Sequence, residues 1–292
     1  MTANDLFTII AQISGVLGIV CSMLAMGLGL TIAQIIQPLK NARLVILALL
    51  ANFLLVPLLA YGITLVIPLE QSLKIGLIVL ACCAGAPFLI LEARGAKANL
   101  GVAVGVMTLL MVVTIFYLPI VLPLLLSGVE VDAGAIAQSL IVLMLIPLIL
   151  GLLVKAHSPE SAKNWAPAMN KIGSLGILIL LVVGLGLNVA NVVSLIGTRG
   201  FLALLIFIFG SLLIGFAVGG RDPGTRTVMG LGTAQRNVSA AILITLTNFA
   251  GTMAVPYVLV AAILLPLILI SIARWLGKRG EAEATVEAPA VS

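Results

Sequence analysis

The chain has 292 residues, of which 62% are hydrophobic and only 9% charged. Soluble domains run at about 45–50% apolar and about 25% charged, so a soluble globular enzyme, a disordered chain and a nucleic-acid binder are all excluded. The net charge of +5 comes from fifteen bases against ten acids, and in a membrane protein such bases belong mainly to cytoplasmic loops.

A membrane-crossing helix needs about 20 apolar residues. Nine stretches qualify, at 6–30, 44–67, 73–91, 100–126, 134–154, 172–190, 201–219, 227–249 and 253–273. No base precedes Lys40, so the start lacks the charged n-region of a signal peptide. With the N-terminus outside, twelve of the fifteen bases fall in one set of loops, only Lys74 and Arg199 in the other, and Arg236 in neither. That asymmetry predicts a multi-pass protein of the cytoplasmic membrane with its N-terminus outside and its C-terminus cytoplasmic. Residues 1–279 form the polytopic domain. Residues 280–292, small and acidic, are expected to be a disordered cytoplasmic tail. Adjacent Cys82 and Cys83 and the lone His157 supply no disulfide framework and no zinc site. No catalytic residue, metal or cofactor is implied.

GVLGIVCSMLAMGLGLTIAQ begins at Gly15, and GSLGILILLVVGLGLNVAN begins at Gly173. Both carry G-x-L-G, then G-L-G-L, then a polar residue and x-Ala-Gln/Asn. By the predicted topology the first copy ends at the cytoplasmic face and the second at the outer face. The halves are therefore read as an inverted repeat, the signature of secondary transporters whose sites lie where helices break. Spans three and eight become equivalent, and both are irregular. Span three holds Cys82-Cys83-Ala84-Gly85-Ala86-Pro87, where Gly85 lets the chain bend and Pro87 removes a helical hydrogen bond. Span eight holds Gly232 and Thr233, then Gln235-Arg236-Asn237. Each break falls near the bilayer midplane, about 15 Å from the span's start at 1.5 Å per residue.

These residues carry a family resemblance. The stretch Met23–Thr31, ending Gly27-Leu28-Gly29-Leu30-Thr31, resembles the M-G-x-G-L-T helix end of the bile acid/sodium symporter family. Asn52-Phe53 followed by Val56-Pro57 is similar to its Q-F-x-x-M-P. Cys82-Cys83-Ala84-Gly85 resembles its C-C-P-G-G-T-A-S-N, and Gln235-Arg236-Asn237 its E-x-G-M-Q-N region. The resemblance implies an all-α membrane protein of nine helices, lacking the family's first. It implies two broken, crossing helices in a core (spans two, three, four, seven, eight and nine) and a panel of spans one, five and six. Substrate would bind between panel and core. On the family pattern, the residues that resemble sodium ligands fall on Leu89, Ile90, Ala103, Met107, Gly232 and Arg236. All but one are apolar or lack a side chain and the last is cationic, so the resemblance does not carry sodium coupling with it.

Arg236 is the sharpest feature. A charge at membrane depth costs several kcal/mol and marks a pathway or a site. Of the ten acids, only Glu92, near the inner end of span three, is placed to approach it. The alternatives are carbonyls freed at the breaks, Asn52, Gln235, or an anionic substrate held by the guanidinium's bidentate fork. Two readings stay open, a substrate-binding arginine and a structural stand-in for sodium's charge that pins the broken helices. Asn188 and Asn237 complete the candidate substrate site. Asn188 reads more commonly as a plain helix cap, and Thr108, Thr114 and Ser211 as hydroxyls bonded back to their own helix. The function expected is secondary transport of a small organic anion by alternating access, independent of sodium. A sodium-coupled symporter and a channel or sensor are the alternatives. The partners expected are that anion and the lipid bilayer, with no nucleic acid.

Overall fold

Backbone polar groups in lipid must be satisfied within the chain, which leaves helices and closed barrels as spanning structures. The computed structural model describes residues 3–126, 128–129 and 131–287, and among these residues there are helices and no strand. The elements run α1 Ala3–Gly29, α2 Ile32–Leu39, α3 Ala42–Leu50, α4 Val56–Val66, α5 Gln71–Cys82, α6 Phe88–Gly95, α7 Leu100–Leu125, α8 Ala133–Leu140 and α9 Ile146–His157. They continue as α10 Pro159–Leu187, α11 Val189–Leu195, α12 Arg199–Val218, α13 Pro223–Ala234, α14 Val238–Asn248 and α15 Ala254–Glu287.

Among the described residues, seven helical stretches are long and apolar enough to cross a membrane, where the sequence predicted nine. They are 6–29, 42–66, 100–125, 133–157, 159–187, 199–218 and 254–279. The other two predicted spans are each a pair of half-helices, α5/α6 and α13/α14. No half exceeds 12 residues, about 18 Å at 1.5 Å per residue, so none crosses alone. Helix α10 starts at Pro159 rather than 172. Its polar first turns, with Lys163 and Lys171, extend the helix without being apolar enough to read as span. At the other end of the chain α15 runs on to Glu287, through the stretch expected to be disordered. Its Ala and Glu are strong helix formers. Residues 288–292 of that tail lie outside the described residues.

Two stretches join through π turns, Ala51–Leu55 between α3 and α4 and Ile141–Leu145 between α8 and α9. A proline stands just after each, Pro57 and Pro147. Proline has no N–H and its ring pushes against the carbonyl four residues back, so the helix widens there. For Pro57 that carbonyl belongs to Phe53, and the Tyr117 hydroxyl donates to it at 2.7 Å.

Helix α1 packs against α10 and α9. Gly15 lies against Leu180, Gly18 against Gly176, and Ser22 against Gly173, so α1 and α10 run antiparallel. The two G-x-L-G motifs thus meet at their own glycines. A Cβ on Gly176 would come within 2.6 Å of the Ser14 carbonyl and 2.8 Å of the Gly18 Cα. Close backbone approach at small residues is how helices associate where lipid removes the hydrophobic drive. Gly176→Ala is therefore expected to cost about 1–3 kcal/mol by overpacking, read as a lower melting temperature in detergent. Large apolar side chains cover the outside, with Leu65 and Leu124 each 71% exposed, as a lipid-facing surface requires.

Candidate functional site

The two breaks touch. The first runs from Cys83 to Pro87, between α5 and α6, and the second from Gln235 to Asn237, between α13 and α14. The Asn237 N–H donates to the Cys83 carbonyl at 2.9 Å, and its side-chain amide to the Gly85 carbonyl at 3.2 Å. The Asn237 side-chain oxygen meanwhile caps α14 by accepting from the Ala240 N–H at 3.1 Å. Thr114 of α7 clips the first break, accepting from the Ala84 N–H at 3.1 Å and donating to the Ala84 carbonyl at 3.0 Å. Gly85 has φ +78°, and a Cβ there would lie 2.2 Å from the Met111 nitrogen. Gly85 and Pro87 sit in the first break, whereas Gly232 and Thr233 sit on the last turn of α13, just before the second.

Arg236 is fully buried at this meeting point. It donates to the Ala81 carbonyl at 3.1 Å, to the Thr233 carbonyl and to the Asn52 side-chain oxygen. Ala81 and Thr233 lie in the last turns of α5 and α13, where carbonyls have no intrahelical partner and the helix dipole is negative. The guanidinium therefore sits where a cation is favoured. Asn52, in the π turn, donates in turn to the Ala48 carbonyl at 3.0 Å and to the Thr233 hydroxyl at 3.3 Å. The Arg236 Nε and the Gln235 side-chain oxygen are buried with no partner. Glu92 does not approach Arg236. It is buried on α6 with both carboxylate oxygens unpartnered.

A cavity of about 460 Å³ lies elsewhere, among α1, α10, α11, α14 and α15. Its polar wall is Thr8 and Gln12 of α1, Asn188 and Asn191, and Thr252; Leu180, Ile242, Leu246 and Leu259 supply apolar wall. Of the predicted site residues only Asn188 lines it. Asn52, Gln235, Arg236 and Asn237 belong to the crossing. Asn188 is also a helix-end residue, its amide donating to the Gly184 carbonyl at 2.8 Å. Thr8, Gln12 and Thr252 escaped the sequence reading, although Gln12 is the one amide inside the first span. Of the three hydroxyls read as back-bonded, Thr108 is, donating to Val104 at 2.9 Å. Thr114 instead reaches across to the break, and Ser211 has no partner.

A bundle of apolar helices with two broken pairs meeting inside it is the architecture of a multi-pass membrane protein. Residues 16–195 match the Sodium Bile acid symporter family, and the chain belongs to that family. Three relatives are similar to it. Probable sodium/metabolite cotransporter BASS2, chloroplastic, of Oryza sativa subsp. japonica is 30% identical over 173 residues, 59% of this chain and 39% of that one. Uncharacterized sodium-dependent transporter YocS of Bacillus subtilis (strain 168) is 28% identical over 183 residues, 61% of this chain and 55% of that one. Probable sodium/metabolite cotransporter BASS1, chloroplastic, of Arabidopsis thaliana is 22% identical over 246 residues, 82% of this chain and 61% of that one. The chain thus spans less than two thirds of the length of these relatives.

Proposed function

We propose that the chain is a secondary transporter of a small organic anion, working by alternating access and without sodium. The observation that carries this is Arg236, a guanidinium buried where two broken helices meet, with no carboxylate among its partners. Its charge leaves the core positive beside the half-helix α14, which runs from the crossing to the cavity wall at Ile242 and Leu246. The amides of Gln12, Asn188 and Asn191 offer donors for a carboxylate, and the apolar wall suits an organic body.

Several features support the architecture behind this reading. Gly18 and Gly176 are equivalent in the two sequence copies and pack on one another, as a pseudo-two-fold axis demands. Each copy ends a long helix and opens a short one, α1 into α2 and α10 into α11. The nine spans then comprise seven whole helices and two broken ones. The panel is α1, α8–α9 and α10, and the rest is core. The cavity lies toward the N-terminal end of α1, the outer end in the predicted orientation. Within the panel, α1 packs closely on α9, since a Cβ on Gly27 would fall 2.3 Å from the Leu148 carbonyl.

Sodium coupling is the second reading, favoured by the names of the relatives. Against it stands the packing where the family's ligands align. Leu89 is buried, and a Cβ on Gly232 would meet its Cδ2 at 2.8 Å. Apolar carbon occupies the space that oxygen ligands need, and Arg236 already bonds the freed carbonyls.

The test is uptake of labelled small organic acids into proteoliposomes with sodium or choline as the cation. Uptake is expected to be equal in both, and Gln12→Leu or Asn188→Ala to raise the half-saturating concentration about tenfold, the loss of one hydrogen bond worth ~1.4 kcal/mol. Uptake that vanishes in choline and returns with saturable sodium dependence would sink the sodium-free reading.

A further inference from the structure

Glu92 is the one buried carboxylate among the described residues, and neither the crossing nor the cavity uses it. Helix α6 packs on α7, α13 and α15. The only titratable group of α7 is Tyr117, whose hydroxyl is spent on the Phe53 carbonyl. The charged residue of α13, Arg226, is exposed and donates to the Phe216 carbonyl at 3.2 Å. From α15 come Tyr257, which donates to the Gly200 carbonyl at 3.0 Å, and the exposed Arg274, Lys278 and Arg279. Glu281, Glu283 and Glu287 follow toward its C-terminal end. On the α6 side, Arg94 and Lys97 are exposed. Among the described side chains, none hydrogen-bonds to Glu92.

A charge buried without a partner is far more costly than a neutral acid in the same place. We infer that Glu92 is a proton-binding site whose occupancy follows conformation: protonated in the state seen here, ionised once the end of the bundle beyond α6 opens to water. Glu92 is five residues past Pro87 and less than one turn from the end of α6 at Gly95, so opening that end exposes it first. The step breaks the carboxyl O–H bond, gives the proton to water and leaves a hydrated carboxylate. Since only the closed end holds the proton, rising pH favours opening and acid favours closure. The conformational half of this inference rests on the transporter reading, whereas the proton site does not.

The sign follows from linkage. The unfolded chain releases the Glu92 proton near the ordinary carboxyl range, about 4.3, while the folded chain keeps it. The folded state binds more protons, so stability falls as pH rises above that range. The full chain in detergent is melted between pH 5 and 8.5 as the parent, Glu92→Gln and Glu92→Leu. The parent is expected to lose several degrees more across this range than either variant, and both variants to melt above it at pH 8.5. Superimposable profiles overturn the proton site. Counterflow exchange of a labelled organic acid in proteoliposomes supplies the second arm. Exchange by the parent is expected to change with pH and that by Glu92→Gln to stay flat; equal pH dependence overturns the link to opening. Absence of any exchange defeats the transport reading, and the melting profiles still decide the proton site.

Discussion

Gly85→Ala is expected to abolish most of the folded protein. Two costs combine at this position. A left-handed backbone with φ +78° penalises any L side chain by about 1–2 kcal/mol. The new Cβ would also lie 2.2 Å from the Met111 nitrogen and 2.7 Å from the Met107 carbonyl. Both are backbone atoms of α7, which cannot swing aside as a side chain can. Overpacking of this kind adds about 1–3 kcal/mol or more. The sum is a large part of the ~5–15 kcal/mol by which proteins are stable. The break would move, taking with it the Gly85 carbonyl that Asn237 bonds. Gly62→Ala is the control, because a Cβ there meets nothing within 4 Å and the residue is helical in α4. It should melt at or slightly above the parent. Detergent-purified yield and melting temperature read both variants. Gly85→Ala with a parental melting temperature would show that the break does not depend on this backbone conformation.

What could be read from the sequence follows from the range of the forces involved. Spans announce themselves by composition because lipid demands twenty apolar residues in a row. The first break announces itself because Gly85 and Pro87 are intrinsic helix disruptors. The second gives a fainter signal. Gly232 and Thr233 look like the disruption but remain helical, and the chain breaks just after them, at Gln235–Asn237. There the cause is tertiary, since Asn237 leaves the helix to bond Cys83 and Gly85. Tyr117 gives no signal for the same reason, and Thr114 reads as bonded back to its own helix. Their partners, Phe53 and Ala84, are 64 and 30 residues away in sequence. The cavity is a property of five helices at once, so Thr8 and Thr252 in its polar wall have no local signature. Glu92 was legible as an acid at a span edge, but its burial without a partner depends on three other helices.

Arg236→Gln is expected to melt well below the parent. The arginine reaches three acceptors in different directions, the Ala81 and Thr233 carbonyls and Asn52. The glutamine is shorter and has one amide group, so at least one acceptor is orphaned. An unsatisfied buried acceptor costs about 1–3 kcal/mol, and a lost charged hydrogen bond about 1.5–3 kcal/mol. Removing the charge also removes its desolvation penalty, which is several kcal/mol for a bare ion. The penalty is already offset in the parent by two helix C-termini and Asn52, so orphaned carbonyls should win, at about 2–4 kcal/mol net. Arg236→Lys keeps the charge but has a single ammonium in place of a planar fork, and it should melt between the two. The dissociation constant for an organic acid, measured on the same sample, separates the roles of Arg236. Lower melting with affinity changed only severalfold identifies Arg236 as the pin that holds the breaks together. Parental melting with affinity weakened more than a hundredfold would instead make it a direct ligand of the anion, and the carbonyl bonds seen here would belong to its resting position between substrates.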